Sequence, residues 1–271
     1  MDYFYVKCKT ALSKSLLPGL DYSLNPYFGC EHGCLYCYVP SVFRSEELAS
    51  NWGKFVRAKM NILEVLKKEL MKSPKGVIGV STVTDPYQPL EKKLQLTREC
   101  LKLLSKHRLT VSIQTKSMLV LRDLDVLNPS NFDVGITITT MEDWLAKEIE
   151  PEAPSPSCRA KTLEELSQKN IPTWIFFGPI IPRINDREEN IEKIVMLAKR
   201  TNSELLYDRL NLKSFVMRRL EPFLERESPE LIEELPKLLA SNSGYFKRIE
   251  RLIEKACKKY GVKFGFAFFR R

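Results

Sequence analysis

The chain contains no run approaching the ~18–20 consecutive apolar residues of a membrane helix. Its first residues, MDYFYVKCKT, lack the charged start and apolar stretch of a secretory signal. The expectation is a cytoplasmic protein without membrane partners. The sequence also lacks a G-x-x-x-x-G-K-[ST] phosphate loop and a G-x-G-x-x-G dinucleotide fingerprint. There is no internal repeat and no Gly/Ser linker. A secreted disulfide framework is excluded by an odd cysteine count, seven, in a chain of 271 residues.

What is present is enough apolar sequence for a large core, 44%, with 28% charged residues to solvate it. The net charge is +9, and residues 241–271 hold nine Lys or Arg against two Glu. Such a basic tail is suited to a polyanion such as DNA or RNA. It also reads as a solvated helix face, because Glu250 and Glu254 interleave with the cations.

Apolar runs and helical patterns alternate along the chain. Residues 56–72 place Val56, Met60, Leu63, Leu66 and Leu70 at helical spacing, and Val77–Val83 reads as a buried strand. Helices are expected at 94–107, 159–169, 187–200, 229–240 and 244–260. Strands are expected at 110–115, 133–140, 172–181, 204–212 and 262–269. Near-continuous apolar strands between helices predict a parallel sheet covered by helices, an α/β barrel rather than a small doubly wound domain. In such barrels the chemistry lies at the carboxyl ends of the strands. Residues 1–215 are expected to form the barrel core with an N-terminal lead-in. Residues 216–271 are expected to form a helical, basic extension packed on it. Trp52, Trp144 and Trp174 read as core or lid residues, and Cys100 as core.

Three of the cysteines stand apart: Cys30, Cys34 and Cys37, spaced C-x3-C-x2-C in a loop with Gly29 and Gly33. Thiolates at this spacing bind iron–sulfur clusters or zinc. Three thiolates on a four-iron cluster leave one iron open to another ligand. A structural zinc site would need a fourth ligand, for which His32 is available, giving a non-catalytic Cys3His module. No second cysteine group exists to hold an auxiliary cluster.

The segment NPYFGCEHGCLYCYVP resembles the radical SAM superfamily, and within it the spore-photolyase-like branch. Further matching words are TDPYQPLEKKLQLTRECL, QTKSMLVLRDLDVL, EPEAPSPSCR and GPIIPRIND, so the resemblance covers roughly residues 15–190. It implies a partial (β/α)6 TIM-like barrel with a helical C-terminal extension. It implies a [4Fe-4S] cluster on Cys30, Cys34 and Cys37, with S-adenosylmethionine (SAM) on the open iron. Cleavage of SAM would yield a 5′-deoxyadenosyl radical that takes hydrogen from a substrate, using electrons from a donor such as ferredoxin or flavodoxin. By the same resemblance Tyr36 packs near the adenine, and Thr84 and Asp85 meet the SAM amino group. Lys116 meets the SAM carboxylate, Thr137 and Thr139 share a strand face toward the ribose, and Arg159 binds a SAM or substrate oxygen. The bland readings are loop packing for Tyr36, a turn for Asp85, a surface position for Lys116 and Arg159, and a polar barrel interior for the two threonines.

One departure stands out. Spore photolyase carries a hydrogen-donating cysteine near the end of the second strand, whereas this chain reads Ser81-Thr82-Val83-Thr84-Asp85. Repair of a thymine dimer by that route is therefore not expected. The substrate is a nucleic acid or other large anion, or alternatively a small molecule or protein.

Overall fold

A computed structural model describes residues 1–42, 45–240 and 243–267. The chain opens with β1 (Asp2–Val6), β2 (Leu12–Lys14), β3 (Tyr22–Leu24) and β4 (Tyr27–Phe28). Then come α1 (Val39–Val42), α2 (Glu46–Ser50), β5 (Phe55–Lys59), α3 (Ile62–Leu70) and β6 (Val77–Val80). Next are α4 (Glu91–Leu94), α5 (Leu96–Leu104), β7 (Thr110–Thr115), a 3-10 turn at Met118–Asp123, β8 (Phe132–Thr137), α6 (Asp143–Ile149) and α7 (Pro156–Gln168). The chain continues through β9 (Thr173–Ile180), α8 (Glu188–Arg200), β10 (Glu204–Arg209), α9 (Ser214–Glu227), α10 (Leu231–Leu239), α11 (Tyr245–Tyr260) and β11 (Phe264–Phe266).

The main sheet runs β11-β10-β9-β8-β7-β6-β3-β2. Every pairing from β3 to β11 is parallel, and only β2 is antiparallel, on its edge. This is the expected helix-covered parallel barrel, opened at one side. Alternation along the strands separates two faces. Val111, Ile113, Val134, Ile136, Ile175 and Phe177 join the core with α3, α5, α7, α8 and α11. The opposite face is polar: Ser112 Oγ and Trp174 Nε1 donate to Asp133 Oδ1, and Gln114 Nε2 donates to Thr137 Oγ1.

Several elements differ from the sequence expectation. Residues 56–72 are not one helix. Phe55–Lys59 alternate and pair with β1 and β4 in a separate small sheet. Asn61 ends that strand by bonding both Cys8 N and Cys8 O, and α3 follows with Ile62, Leu66 and Leu70 buried. Helix α7 begins at Pro156 rather than at 159, because Ser155 caps it by accepting from Cys158 N and proline suits the first turn. Val77–Val83 loses its last residues to a bend. The C-terminal strand is seen over Phe264–Phe266; residues 268–269 of the expected strand lie outside the described residues. Trp52 and Trp174 are buried as expected, whereas Trp144 is exposed on α6. Cys100 is fully buried core. No helix of the described residues is long and apolar enough to cross a membrane.

Candidate functional site

The cysteine loop leaves β4 and turns at Gly29, where φ is +90°. A Cβ there would lie 2.3 Å from Phe55 O, so only glycine fits. Glu31 then pins the loop: its carboxylate accepts from Leu90 N at 2.6 Å and Tyr3 Oη at 2.8 Å, and its own N–H donates to Gln88 Oε1. Gly33 packs against Gly53, where a Cβ would sit 3.0 Å from Gly33 Cα. Cys37 N donates to Cys34 O at 3.2 Å and closes the turn.

Cys30 and Cys34 are buried, Cys37 is half-buried, and none is in a disulfide. Burial pushes all three thiols up, Cys37 to about 11, and Cys30 and Cys37 each also feel Cys34. Coordination to a cationic metal centre removes such protons. Among the described residues no three His, Cys, Asp or Glu converge as a site for a single metal ion. His32 does not join the trio as a fourth ligand; its Nδ1 faces Asp85 Oδ2 at 3.4 Å. A cluster places no such demand, because each thiolate binds a different iron. Two buried N–H groups beside the loop, Trp52 Nε1 and Arg219 Nε, have no acceptor among the described residues. Thiols flanked by orphaned donors fit an anionic, sulfur-rich group.

The carboxyl ends of β6, β7 and β8 meet this loop. Thr84 Oγ1 donates to Gly29 O, fixing the turn. Asp85 is buried and accepts from Tyr87 N, Thr115 Oγ1 and Lys116 N, at 2.7–2.9 Å. Asp85 thus fastens the end of β7 beside the cysteine loop, with both oxygens engaged by protein donors. Lys116 Nζ lies 5.7 Å from the Tyr36 ring centroid and 4.0 Å from Glu150 Oε1, so it is no surface lysine. Tyr36 Oη donates to Glu150 and lies 3.2 Å from Thr139 Oγ1, which also donates to Glu150. Thr137 instead takes the Gln114 amide through its hydroxyl and receives Arg159 Nη1 at its carbonyl, so the two threonines have different partners. Arg159 is buried, not exposed, and its donors are committed to Pro154 O, Thr137 O and Glu150 Oε2. Its link to Tyr36 and Lys116 runs through Glu150.

Sequence reasoning missed Glu150. It lies inside the quoted word EPEAPSPSCR, yet nothing in its spacing shows that it gathers Tyr36, Thr139, Lys116 and Arg159. Arg219 was also missed. It reaches in from α9, donating to Trp52 O, Gly33 O and Cys34 O. Asp208, at the end of β10, is a third: burial raises its carboxyl to about 7, only partly opposed by Arg209 N–H and the Arg209 charge.

The family model for the Radical SAM superfamily matches residues 24–195. An uncharacterized protein of Methanocaldococcus jannaschii is 36% identical over 261 residues, covering 96% of this chain and 95% of that protein. One from Acidianus two-tailed virus is 30% identical over 237 residues, 80% of this chain and 77% of that protein. Among solved structures, a spore photoproduct lyase variant with bound AdoMet and dinucleoside spore photoproduct superposes with a TM-score of 0.74. Its sequence identity is 14%, with coverage of 97% of this chain and 82% of that one. Streptococcus suis SuiB bound to S-adenosylmethionine gives 0.59 at 10% identity, covering 90% of this chain and 49% of that one.

Proposed function

This chain belongs to the radical SAM superfamily, and from that premise we propose that Cys30, Cys34 and Cys37 hold a [4Fe-4S] cluster whose open iron takes SAM. The observation that carries the reading is the junction of the cysteine loop with Lys116 and Glu150: Lys116 Nζ lies 5.7 Å from the Tyr36 ring centroid and Tyr36 Oη donates to Glu150. When bound, cluster and SAM supply one-electron cleavage of a sulfonium to a carbon radical that removes hydrogen from a substrate.

The chain's own residues do the rest. Lys116 offers an ammonium to the SAM carboxylate, and Glu150 holds that ammonium at the end of β7. Arg159 keeps Glu150 charged and fixed. Tyr36 forms an apolar wall whose hydroxyl is tied to Glu150. Thr84 and Asp85 serve by holding Gly29, Lys116 and His32 in place. Burial of the whole set keeps water from the reactive centre. An external one-electron donor is required.

For the substrate we propose a nucleic acid, supported by the net charge of +9. The basic tail lends less support than its composition suggests. Lys255 and Lys259 of α11 are paired with Glu188 and Glu192 of α8, and Lys258 with Glu254. That pairing favours the second reading, a small-molecule or protein substrate with the tail as packing. Arg270 and Arg271 lie outside the described residues. The segment after β6, Ser81-Thr82-Val83-Thr84-Asp85, holds no cysteine, so hydrogen return by a thiol from this segment is not part of the proposal.

Release of 5′-deoxyadenosine from SAM by the anaerobically reconstituted, dithionite-reduced protein tests the reading. The wild type should release it and Cys34→Ala should not; equal release by both would refute the ligand set. Salt-sensitive binding of a single-stranded oligonucleotide supports the substrate class, and salt-insensitive or absent binding favours the second reading.

A further inference from the structure

Arg219 is a partly buried cation with no carboxylate partner among the described residues. Its Nη1 donates to Trp52 O at 2.9 Å, and its Nη2 donates to Gly33 O at 2.7 Å and more weakly to Cys34 O at 3.4 Å. Its Nε–H is buried and has no acceptor among the described residues. The titratable groups that face it are the thiols of Cys37 and Cys34. Trp52 repeats the pattern. Its indole N–H is buried without an acceptor among the described residues, and its ring sits in a cluster with Cys30 and Phe55, packed by Cys37 and Tyr38. The two residues are also joined to each other by the Nη1 bond.

A buried cation without a counter-charge and a buried N–H without an acceptor are each costly, and proteins seldom retain both at one place without use. Two such donors flank the cysteine loop, Trp52 beside Cys30 and Cys37, and Arg219 beside Cys34 and Cys37. Arg219 is carried there by α9, whose Val216 and Leu220 are buried with Cys34 and Tyr36.

We propose that Arg219 and Trp52 are positioning residues that donate N–H bonds to the sulfurs of the bound cluster and raise its reduction potential. This rests on the cluster reading above. Reduction adds one negative charge to the cluster. A fixed cation and two N–H dipoles aimed at its sulfurs stabilise the reduced state more than the oxidised one. A purely structural Arg219, serving only to tie α9 to the loop carbonyls, would leave the potential where it is.

The test is an EPR-monitored redox titration of the reconstituted full-length wild type, Arg219→Gln, Arg219→Lys and Trp52→Phe, with iron counted in each. Arg219→Gln and Trp52→Phe should each lower the reduced-to-oxidised ratio at a fixed potential about tenfold, ~59 mV for a one-electron couple. Arg219→Lys, which keeps charge but not the fork, should fall between them and the wild type. If Arg219→Gln holds no cluster, Arg219→Lys and Trp52→Phe still decide. Wild-type midpoints in those two variants overturn the proposal, whatever happens to activity. A wild type that takes up no cluster overturns both this inference and the functional reading, whereas a loaded wild type with unshifted variants overturns the inference alone.

Discussion

Arg159 Nη2 and Glu150 Oε2 form a salt bridge at 2.5 Å with neither side chain accessible to solvent. The pair joins α7 to the residue just after α6, and through Glu150 it reaches Tyr36 in the cysteine loop and Lys116 at the end of β7. Breaking one side of a buried pair leaves the other charge uncompensated, which costs ~3–5 kcal/mol. Arg159→Met should therefore destabilise the apo-protein by about that much in urea unfolding. A double variant, Arg159→Met with Glu150→Gln, should recover part of the loss.

Burial works to raise the Glu150 carboxyl, but Arg159 and Lys116 outweigh it and hold it at about 2, below its ordinary 4.5. A carboxyl depressed in the folded state stabilises at pH values above the unfolded value. That stability is lost as pH falls from about 4.5 through 2. The contribution is ~3 kcal/mol at neutral pH. Stability of the wild type measured from pH 6 to 3 should fall more steeply than that of Glu150→Gln. Parallel curves would contradict the assignment.

Asp208 has the opposite sign. Its carboxyl is raised from 3.8 to about 7 by burial, so the folded chain keeps a proton that the unfolded chain releases. Between about pH 4 and 7 its contribution to stability declines as pH rises. Asp208→Asn should gain stability relative to the wild type at pH 8 and lose that advantage at pH 4, as read by thermal unfolding at the two values.

Gly29→Ala should prevent assembly of the cysteine loop. The residue has φ +90°, and a Cβ would strike a backbone oxygen at 2.3 Å. The expected outcome is a loss of ~1–3 kcal/mol or more in stability together with loss of iron on reconstitution. Gly261→Ala, which shares a positive φ but whose Cβ would come no nearer than 3.9 Å to Lys199 Nζ, should keep its iron.

Lys116→Ala should weaken SAM binding at least about tenfold in equilibrium dialysis, because a charge-assisted contact to a carboxylate is lost. Unchanged affinity would remove Lys116 from the site.

The barrel was legible because β7, β8, β9 and β10 are six to eight residues long, carry apolar residues and lie between helical stretches. TVSIQT at 110–115 reads as the strand it is. The small sheet was not legible. Its strands are two to five residues long, and Phe55–Lys59 carries apolar residues that also fit a helix. The trio Cys30, Cys34 and Cys37 stands out by its local spacing, and its proposed role as cluster ligands comes from the family resemblance. Glu150, Asp208 and Arg219 do not stand out, because their meaning comes from where distant elements dock: Arg219 bonds a carbonyl 185 residues away in sequence.

Three thiolates and a vacant iron are the centre of the proposed chemistry, and Mössbauer spectroscopy of the iron-57 protein reads them directly. About four irons and four sulfides per chain are predicted, with one iron changing its isomer shift and quadrupole splitting when SAM is added. A single tightly bound zinc without sulfide, or four irons that ignore SAM, would contradict it.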